Sequence, residues 1–580
     1  MYKKLLGCVR EYKKPTILTL LFIVLEAVIE CFIPFITADL VNRIEAGTEL
    51  AVVLRTGLLL IGMAAASLCC GGIAGVTCAK ASCGFAKNLR HDVFRKIQTF
   101  SFENIDKFSS ASLVTRMTTD ISNAQMSFMM LIRIAIRAPL LLIFSTIMAF
   151  VMGGWLAASF VVIIPVLAGG LLTVARFAMP AFRRVFKKYD RLNESIEENV
   201  RGMRVVKGFS RENYEREKFD NASDDIRKDF TRAERLVAIN GPLMQLCIYF
   251  NRVFVLLVGS RLIIGSGGAT INVGEISAML TYGMQVLMQL MMLSMIYVTL
   301  TISAESFKRI GEVLDETPTL TNPASPVMTV ADGSITFKNV NFKYSAAAEK
   351  YALADIDLTI PSGATVGVLG GTGSGKSTLV QLIPRLYDVS DGVVEVGGID
   401  VREYDTDTLR GAVAMVLQKN LLFAGTIKEN LRWGNENATD EELVEACKLA
   451  QAHDFVTAFP DGYDTHIEQG GSNVSGGQKQ RLCIARALLK KPKILILDDS
   501  TSAVDTRTDA LIRAGFKSYI PETTKIIIAQ RVASVMDADI ILMMEGGRIV
   551  AAGNHEQLLT SCEMYQEIHA QQTKGGADHE

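Results

Sequence analysis

Six long apolar segments constrain this chain more strongly than any other feature of its sequence. Each is about as long as the roughly 20 residues that a helix needs to cross a bilayer. The segments cover residues 16–38, 51–76, 131–151, 156–175, 243–264 and 276–300. The chain has 580 residues and is 49% hydrophobic, and the excess lies in this half, since the rest has the composition of a soluble α/β protein. We therefore expect an all-α transmembrane domain over residues 1–310, with six membrane helices.

The connections between the segments alternate in length and charge, which indicates their orientation. Three of them are short and hold at most Arg43 as a clear positive charge, whereas residues 78–130 alone carry seven Lys and Arg. Positive charge is retained on the cytoplasmic side of a membrane. We expect both long connections, both termini and the C-terminal half to lie in the cytoplasm, as in a multi-pass plasma-membrane protein.

The long connections keep a helical period, which predicts that the membrane helices extend into the cytosol. The period breaks at residues 100–110 and 207–219. Each break is compatible with a short helix lying across the tip of the loop or with a simple turn.

Net charge and cysteine usage exclude two other classes of function. The formal net charge is −1, which provides no basic field for nucleic acid. The ten cysteines include no C-x-x-C pair, and five lie in or beside apolar segments. We therefore expect neither a disulfide framework nor a zinc site.

Ionisable residues inside the membrane segments are costly unless they face a partner, a cavity or the interface. Glu26 and Glu30 lie one turn apart in the first segment, Arg133 and Arg137 one turn apart in the third, and Arg252 in the fifth. One interpretation is a polar inner surface that meets a charged or amphipathic solute. The alternative is an internal Glu–Arg pair that fixes helix packing, with the two arginines of the third segment reaching the interface.

The sixth segment is rich in methionine, whose flexible thioether suits a surface that accommodates varied shapes. Helix packing or lipid contact explains such a stripe more often. Met288 and Met292 are the candidate substrate contacts in the stripe Met279, Met284, Met288, Met291, Met292 and Met295.

An apolar run at 366–369 breaks into glycines and restarts as a helical run, which predicts a strand, a loop and a helix. Glycines allow backbone N–H groups to surround a polyphosphate, and the helix adds the positive end of its dipole. In this pattern Lys376 reaches the β- and γ-phosphates and the Ser377 hydroxyl holds Mg²⁺. The loop reads Gly370, Gly371, Thr372, Gly373, Ser374, Gly375, Lys376, Ser377, Thr378.

A second helix start resembles the first but lacks a lysine. It reads Ser475, Gly476, Gly477, Gln478 and precedes a helical run at 479–489. A hydroxyl and two glycines at a helix N-terminus favour an anion.

Three further predicted strands each end in a polar side chain. Residues 412–417 end at Gln418, residues 494–497 end at Asp498 and Asp499, and residues 524–529 end at Gln530. The first carboxylate at such a strand end can hold Mg²⁺, and the next can orient an attacking water. Tyr344, 26 residues before Gly370, can stack on an adenine ring or lie on the surface as an ordinary tyrosine.

Taken together and in this order, these motifs resemble the nucleotide-binding domain of an ATP-binding cassette (ABC) transporter. The whole chain resembles exporter-type (type IV) half-transporters, which fuse six membrane helices to such a domain. Residues 305–326 end a helical run and continue into Pro, Thr and Ser, which predicts a linker over 311–332, and we expect a disordered tail over 573–580. The resemblance implies an α/β P-loop domain over 333–572. It also implies that the two breaks at 100–110 and 207–219 are coupling helices.

The resemblance assigns a role to each motif. Tyr344 is implied to stack on adenine, residues 370–377 to form the Walker A loop, and residues 475–478 to form the family signature. Gln418 is implied to join Mg²⁺ to the contact with the membrane domain, Asp498 to be the Walker B acid, and residues 502–505 to form the loop between two ATP sites. ATP and Mg²⁺ are the implied cofactors. Each ATP in this family lies between the Walker loop of one cassette and the signature of another, so a dimer is implied.

Two residues depart from the family pattern, both at the hydrolytic end of one nucleotide site. Asp499 stands where most members have Glu, and Gln530 where most have His. A carboxylate retracted by one bond length can cost on the order of 10²-fold when a water must be held in line, and Gln brings no positive charge to the phosphate. The signature differs only by Val474 in place of Leu. We expect slow hydrolysis at this chain's own Walker site.

The resulting hypothesis is a heterodimer in which the second half-transporter supplies Glu and His to a competent site; the alternative is a homodimer that tolerates both changes. The favoured function is an ATP-driven exporter of amphipathic drugs, lipids or peptides. An exporter-shaped importer, as for siderophores, and an ATP-gated channel or regulatory subunit are the alternatives.

Overall fold

The computed structural model describes residues 7–345, 348–499 and 504–577. These divide into two compact units, each considered by itself. The first comprises Met1–Gln98 and Ser109–Glu316, and the second Thr99–Phe108 and Thr317–Glu580. The cytosolic segment 99–108 therefore belongs to the second unit although it lies between two membrane segments in sequence.

The first unit is entirely helical, as expected for backbone that must satisfy its own hydrogen bonds in lipid. Its helices, together with the short helix α3 of segment 99–108, are α1 (Lys13–Glu45), α2 (Leu50–Gln98), α3 (Phe102–Phe108), α4 (Ser110–Thr115), α5 (Ile121–Gly153), α6 (Ala158–Arg201), α7 (Met203–Gly208), α8 (Glu212–Ala238), α9 (Asn240–Ser266) and α10 (Val273–Asp315).

Five helical runs among the described residues are long and apolar enough to cross a membrane. The longest, Ser110–Phe182, contains both the third and the fourth predicted segments. A 3₁₀ turn at Gly154–Ala157 separates α5 from α6, and Gly154 there has φ +52°, a conformation that glycine adopts without steric cost. The six predicted segments therefore all lie in these five runs.

The two predicted breaks in the cytosolic extensions have different outcomes. The break at 100–110 contains a short helix, α3, which agrees with the first of the two interpretations made from sequence, a short helix rather than a simple turn. The second break was placed wrongly, since the short helix is α7 at Met203–Gly208 and most of 207–219 lies in α8. Gly202 and Gly208 bound the true break, while Glu212 and Glu215 favour a helix start by their position in its first turn.

A buried ionic cluster joins the cytosolic ends of α5 and α10. Arg116–Asp120 forms one π-helical turn, and Asp120 at its end is completely buried. Its carboxylate accepts hydrogen bonds from the Ser306 hydroxyl at 2.8 Å and from Arg309 Nε at 2.8 Å. Arg116 pairs with Glu312 at 3.0 Å. Each buried charge thus has an opposite charge beside it.

We expect Asp120→Ala to lower the free energy of unfolding by about 2–3 kcal/mol, because it leaves Arg309 without its buried partner. The Arg309 side chain is 40% exposed, so the loss is smaller than for a fully buried pair. Thermal unfolding of the detergent-solubilised protein measures it. Asp224→Ala, which removes an exposed ion pair with Arg227, is the control and should change the melting temperature little. Equal shifts for both variants would contradict a structural role for the cluster.

The second unit is built on strands and shorter helices. Its strands are β1 (Ile335–Phe342), β2 (Leu353–Ile360), β3 (Thr365–Gly370), β4 (Asp391–Val396), β5 (Ile399–Asp400), β6 (Val413–Val416), β7 (Gly425–Thr426), β8 (His466–Ile467), β9 (Ile494–Asp498), β10 (Thr524–Ile528), β11 (Ile540–Glu545) and β12 (Arg548–Gly553). Its helices after α3 are α11 (Lys376–Leu382), α12 (Thr406–Ala412), α13 (Ile427–Arg432), α14 (Asp440–Leu449), α15 (His453–Thr457), α16 (Gly476–Leu488), α17 (Thr506–Tyr519), α18 (His555–Ser561) and α19 (Glu563–Ala577).

Two sheets organise this unit. The larger has the order β12-β11-β3-β10-β9-β6, with parallel pairing from β11 to β6 and an antiparallel edge strand β12. Strands β9 and β10 are buried along their whole length, as is typical of parallel strands covered on both faces. The smaller sheet, β2-β1-β4-β5, is antiparallel, and β7 pairs with β8.

Two ends of predicted segments differ from the structure. Helix α10 continues to Asp315, whereas the linker was placed from residue 311. The tail from 573, predicted to be disordered, is helical as far as Ala577 because it continues α19, while residues 578–580 lie outside the described residues. Tyr565 anchors this helix in the core, and the Gln572 side chain bonds back to the loop after β10.

Candidate functional site

Three neighbouring parallel strands bring the predicted phosphate-site residues to one edge of the larger sheet. Strand β10 pairs with β3 on one side and with β9 on the other. Because parallel strands end at the same edge, Gly370 at the end of β3, Asp498 at the end of β9 and Gln530 after β10 lie at that edge. This edge is where open α/β sheets bind ligands.

The glycine-rich loop holds the Lys376 amine at its centre. Lys376 Nζ donates to the carbonyl oxygens of Gly370 at 2.8 Å and Gly371 at 2.7 Å. Side chains added at Gly371 or Gly373 would point into open space, so the loop leaves room beside its backbone. Burial lowers the pKa of the Lys376 amine, since desolvation disfavours its charge. The carboxylates of Asp498 and Asp499 oppose this shift, and a bound phosphate would add further negative charge beside the amine.

Ser377 and Asp498 form a pair of oxygen ligands suited to Mg²⁺. The Ser377 hydroxyl donates to Asp498 Oδ1 at 3.0 Å, and only 4% of Asp498 is exposed. Burial raises the pKa of the Asp498 carboxyl, while the Ser377 hydrogen bond opposes this rise. Hydroxyl and carboxylate oxygens are the ligands that Mg²⁺ prefers, so the donor set fits this ion.

The two residues that depart from the family pattern contact each other. Gln530 Nε2 donates to Asp499 Oδ2 at 2.8 Å. Asp499 has φ +50°, and its N–H bonds to the Ile528 carbonyl at 3.0 Å. Gln572 braces the same loop by donating to the Gln530 carbonyl at 2.9 Å and accepting from Val532 N–H at 2.8 Å. The carboxylate and the amide therefore form one hydrogen-bonded pair beside the phosphate loop.

Tyr344 lies against the start of α11. Its hydroxyl is 2.9 Å from Thr378 Oγ1 and 3.3 Å from Gln381 Oε1, and its ring meets Phe342 edge-on at 4.9 Å. Tyr344 is 45% exposed, which leaves part of the ring accessible to a ligand. The position suits an adenine-stacking role without excluding an ordinary surface tyrosine.

The signature residues form a capped and exposed helix start. Ser475 Oγ accepts from Gln478 N–H at 3.3 Å, and Gln478 Oε1 accepts from Ser475 N–H at 2.9 Å, a capping box. Ser475 and Gly476 are exposed. Within the described residues, no hydrogen bond joins residues 475–478 to the loop 370–378, so this chain's own loop does not occupy the helix start.

The two remaining predictions concern Gln418 and the loop 502–505. Gln418 follows β6, which pairs in parallel with β9, so it comes to the same edge of the sheet. It is exposed, and its carbonyl accepts a hydrogen bond from Asn420 at 3.5 Å. Residues 502 and 503 of the predicted loop 502–505 lie outside the described residues. Asp505, which follows them, caps α17 by accepting from Thr508 N–H at 2.9 Å.

The first unit encloses a cavity of about 1010 Å³, lined largely by apolar side chains. Met288 and Met292 both line it, together with six further methionines: Met129, Met130, Met179, Met244, Met291 and Met295. Flexible thioethers on most of its sides allow the cavity to adapt to ligands of different shape.

A charge cluster lies at the side of this cavity. Arg137 Nη2 lies 2.7 Å from both oxygens of Glu30 and 3.5 Å from Glu26 Oε1. Glu26, Arg133 and Arg137 line the cavity, and Glu26 Oε2 has no hydrogen-bond partner among the described residues. The cluster thus combines the two interpretations made from sequence: an internal ion pair that also meets an enclosed space.

Arg252 does not join this cluster. It is exposed on α9, whereas its neighbour Asn251 is 3% exposed and faces the interior. Successive helical residues differ by about 100° in direction, so Asn251 and Arg252 cannot face the same side. Arg252 therefore lies on a different face of α9 from Asn251, and its placement beside a substrate stays a prediction.

Sequence reasoning missed Tyr387, Asp106 and Gln572. Tyr387 donates its hydroxyl to Asp106 Oδ2 at 2.7 Å and contacts the Tyr344 ring, although 43 residues separate the two tyrosines in sequence. None of the three belongs to a spacing motif, so no signal in a single sequence would have identified them.

Comparisons with known proteins agree with this arrangement. A family model described as ABC transporter transmembrane region matches residues 16–291, and one described as ABC transporter matches residues 353–502. The ABC transporter ATP-binding protein YfiB of Bacillus subtilis (strain 168) is 34% identical over 570 residues, covering 98% of each chain.

Two further relatives extend the comparison. A fatty acid ABC transporter ATP-binding/permease protein of Mycobacterium bovis is 34% identical over 480 residues, covering 83% of this chain and 75% of its own. The structure of a bacterial Atm1-family ABC exporter with ATP bound superposes with a TM-score of 0.83 at 23% identity, covering 97% of this chain and 99% of that one.

The predicted fold class, a helical transmembrane domain followed by an α/β P-loop domain, is confirmed by these matches, as is a multi-pass membrane location. The relatives match both domains along nearly the whole chain. This chain belongs to the ABC transporter family, as an exporter-fold half-transporter with its membrane and ATP-binding domains fused in one polypeptide.

Proposed function

We propose that this half-transporter exports amphipathic compounds from the cytoplasm at the expense of ATP. The observation that supports this most directly is the methionine-lined cavity with Glu26, Arg133 and Arg137 at its side. An apolar tail would contact the methionines, and a polar head would meet the charges. A relative described as a fatty acid transporter points to the same class of molecule.

In the second unit, Lys376 and the loop 370–378 would hold the phosphates of ATP, and Tyr344 would stack on the adenine. Ser377 and Asp498 would hold Mg²⁺, which neutralises phosphate charge when it is bound. Gln418, exposed after β6, is the further proposed ligand of Mg²⁺.

Asp499 would orient the attacking water, and Gln530 fixes its carboxylate through their hydrogen bond. The short side chain of Asp499 limits its reach toward that water, and the bond to Gln530 occupies one of its oxygens. We propose that this site binds ATP and cleaves it slowly.

The exposed signature helix carries a second part of the proposal. Its N-terminus at Ser475 offers N–H groups to an anion, and a second half-transporter would place a phosphate there. A dimer follows, and the departures at Asp499 and Gln530 favour a heterodimer with a partner whose Glu and His complete the competent site. The bilayer and an amphipathic solute are the other partners.

Inverted membrane vesicles that hold this chain and its copurifying partner test the direction of transport. A fluorescent long-chain fatty acid, a cationic dye and a zwitterionic lipid analogue serve as probes. ATP-dependent uptake into the vesicles supports export. ATP-dependent loss would indicate an importer, and flow down a gradient without ATP turnover would indicate a channel; either result would overturn the proposal.

A larger side chain in the cavity should block transport. We expect Met292→Trp to reduce by about tenfold the uptake of any probe that the wild type accumulates, since the larger ring takes space that the ligand needs. Leu68→Trp is the matched control, because Leu68 is 77% exposed on α2 and does not line the cavity. If the two variants transport equally well, the cavity is not the transport site.

A further inference from the structure

An aromatic cluster in the second unit joins the predicted adenine site to the helix α3 of segment 99–108. The Tyr387 ring meets Tyr344 edge-on at 5.3 Å and Phe342 at 5.6 Å on one side. On the other side it contacts Phe102 of α3 at 6.0 Å. Tyr387 is therefore in contact with both the nucleotide-side tyrosine and the cytosolic helix.

A hydrogen bond reinforces the contact between Tyr387 and α3. The Tyr387 hydroxyl donates to Asp106 Oδ2, also on α3, at 2.7 Å. A hydrogen bond to a charged acceptor is stronger than one between neutral groups. Burial and the Asp106 carboxylate both raise the pKa of Tyr387, so the phenol keeps its proton and acts as donor at any physiological pH.

Two further contacts of α3 hold its position without reaching the nucleotide site. Asn104 is 1% exposed and donates to the Thr317 carbonyl at 3.1 Å. Ser101 Oγ lies 2.5 Å from Thr319 Oγ1. Both anchors attach α3 to the chain that follows α10, whereas Tyr387 attaches it to Tyr344. The Tyr387 side chain thus links α3 directly to the predicted adenine site.

We propose that Tyr387 is a positioning residue that couples nucleotide binding at Tyr344 to α3, its ring fixing the plane of Tyr344 and its hydroxyl holding Asp106. The inference rests on the proposed ATP-binding role of this unit. A ligand stacked on Tyr344 reduces the motion of that ring, and the edge-on contact then reduces the motion of the Tyr387 ring. The hydrogen bond from the Tyr387 hydroxyl to Asp106 in turn reduces the motion of α3. Because α2 and α4 flank α3 directly in the chain, this is a path from the ATP site to the membrane helices.

Hydrogen–deuterium exchange of the full-length protein in nanodiscs, with and without Mg²⁺-ATP, tests the coupling. In the wild type we expect ATP to slow exchange both in 370–378 and in 99–108. Tyr387→Phe keeps the ring and removes the hydroxyl. In this variant we expect ATP still to slow exchange in 370–378. The factor by which ATP slows exchange in 99–108 should fall by roughly tenfold, the size expected for one hydrogen bond to a charged group.

Two further variants separate coupling from simple structural support. Asp106→Asn weakens the same bond from its other end, so the double variant Tyr387→Phe/Asp106→Asn should be no worse than either single one. Tyr351→Phe is the matched control, since its hydroxyl also faces a carboxylate, Asp391 at 3.5 Å, but does not contact α3. It should retain the wild-type ATP effect in both segments.

Several outcomes would overturn the proposal. In the first, ATP slows exchange in 370–378 of the wild type but not in 99–108. In the second, ATP slows exchange in 99–108 of Tyr387→Phe as much as in the wild type. In the third, the losses of the two single variants add in the double variant. Exchange that rises across the whole unit regardless of ATP would show a structural role only. If ATP leaves 370–378 unaffected in the wild type, the proposed ATP site fails, and the coupling fails with it.

Discussion

Replacing Asp499 by Glu and Gln530 by His together is expected to raise ATP hydrolysis at this chain's own Walker site by about 10²-fold. Glu extends the carboxylate by one methylene toward the water that must be held in line, and a misplacement of that size can cost on the order of 10²-fold. His can bring a positive charge toward the phosphate, whereas Gln530 offers only a neutral amide, which forms the weaker hydrogen bond.

The rate is measured on the purified chain in nanodiscs that each hold two copies of it, with Mg²⁺-ATP, so that the signature of one copy completes the Walker site of the other. Adding Lys376→Ala to the double variant is the control, because it removes the amine at the centre of the phosphate loop and should return hydrolysis to background. The hypothesis fails if the wild-type chain alone already hydrolyses ATP rapidly and Asp499→Asn leaves that rate unchanged.

Much of the nucleotide site could be predicted from sequence because its parts are local. The loop 370–378 follows a strand and opens a helix, and Asp498 and Gln530 each follow a strand, as the sequence predicted. The observed pairing of these three strands is what brings the residues to one edge. What spacing cannot provide is the pairing of side chains across the site. The bond between Gln530 and Asp499 depends on the backbone turn at Asp499, where φ is +50°.

The membrane unit shows the limits of sequence reasoning more plainly. Hydropathy located the six apolar segments. It does not show how each helix is turned about its axis, and this decides that Arg252 lies apart from the cluster of Glu26, Glu30 and Arg137. The second cytosolic break was misplaced because α8 is mostly polar: its narrow apolar stripe, which includes Ile226 and Phe230, does not mark the residue at which the helix begins. Similarly, Gln572 orders a tail that its composition alone would leave disordered.

The sharpest distinction between a heterodimer with unequal sites and a symmetric dimer comes from the signature. We expect Gly476→Asp to lower ATP hydrolysis by the copurified two-subunit complex by about 10²-fold or more. Gly476 is the first residue of α16, where exposed N–H groups and the helix dipole favour an anion. A carboxylate there would repel the phosphate that the partner's Walker loop brings, and loss of one such stabilising group costs on the order of 10²–10³-fold.

Asp499→Asn in the same complex should have a much smaller effect, because in this hypothesis the site that contains Asp499 contributes little turnover. Gly411→Asp is the matched control: it adds the same charge at an exposed glycine with open space around it, near the end of α12 and away from any helix start. The measurement is ATPase activity of the purified complexes in nanodiscs at saturating ATP. If Asp499→Asn proves as damaging as Gly476→Asp, both sites turn over equally and the asymmetric hypothesis is wrong, since one defective Walker site would then limit the complex as severely as one defective signature.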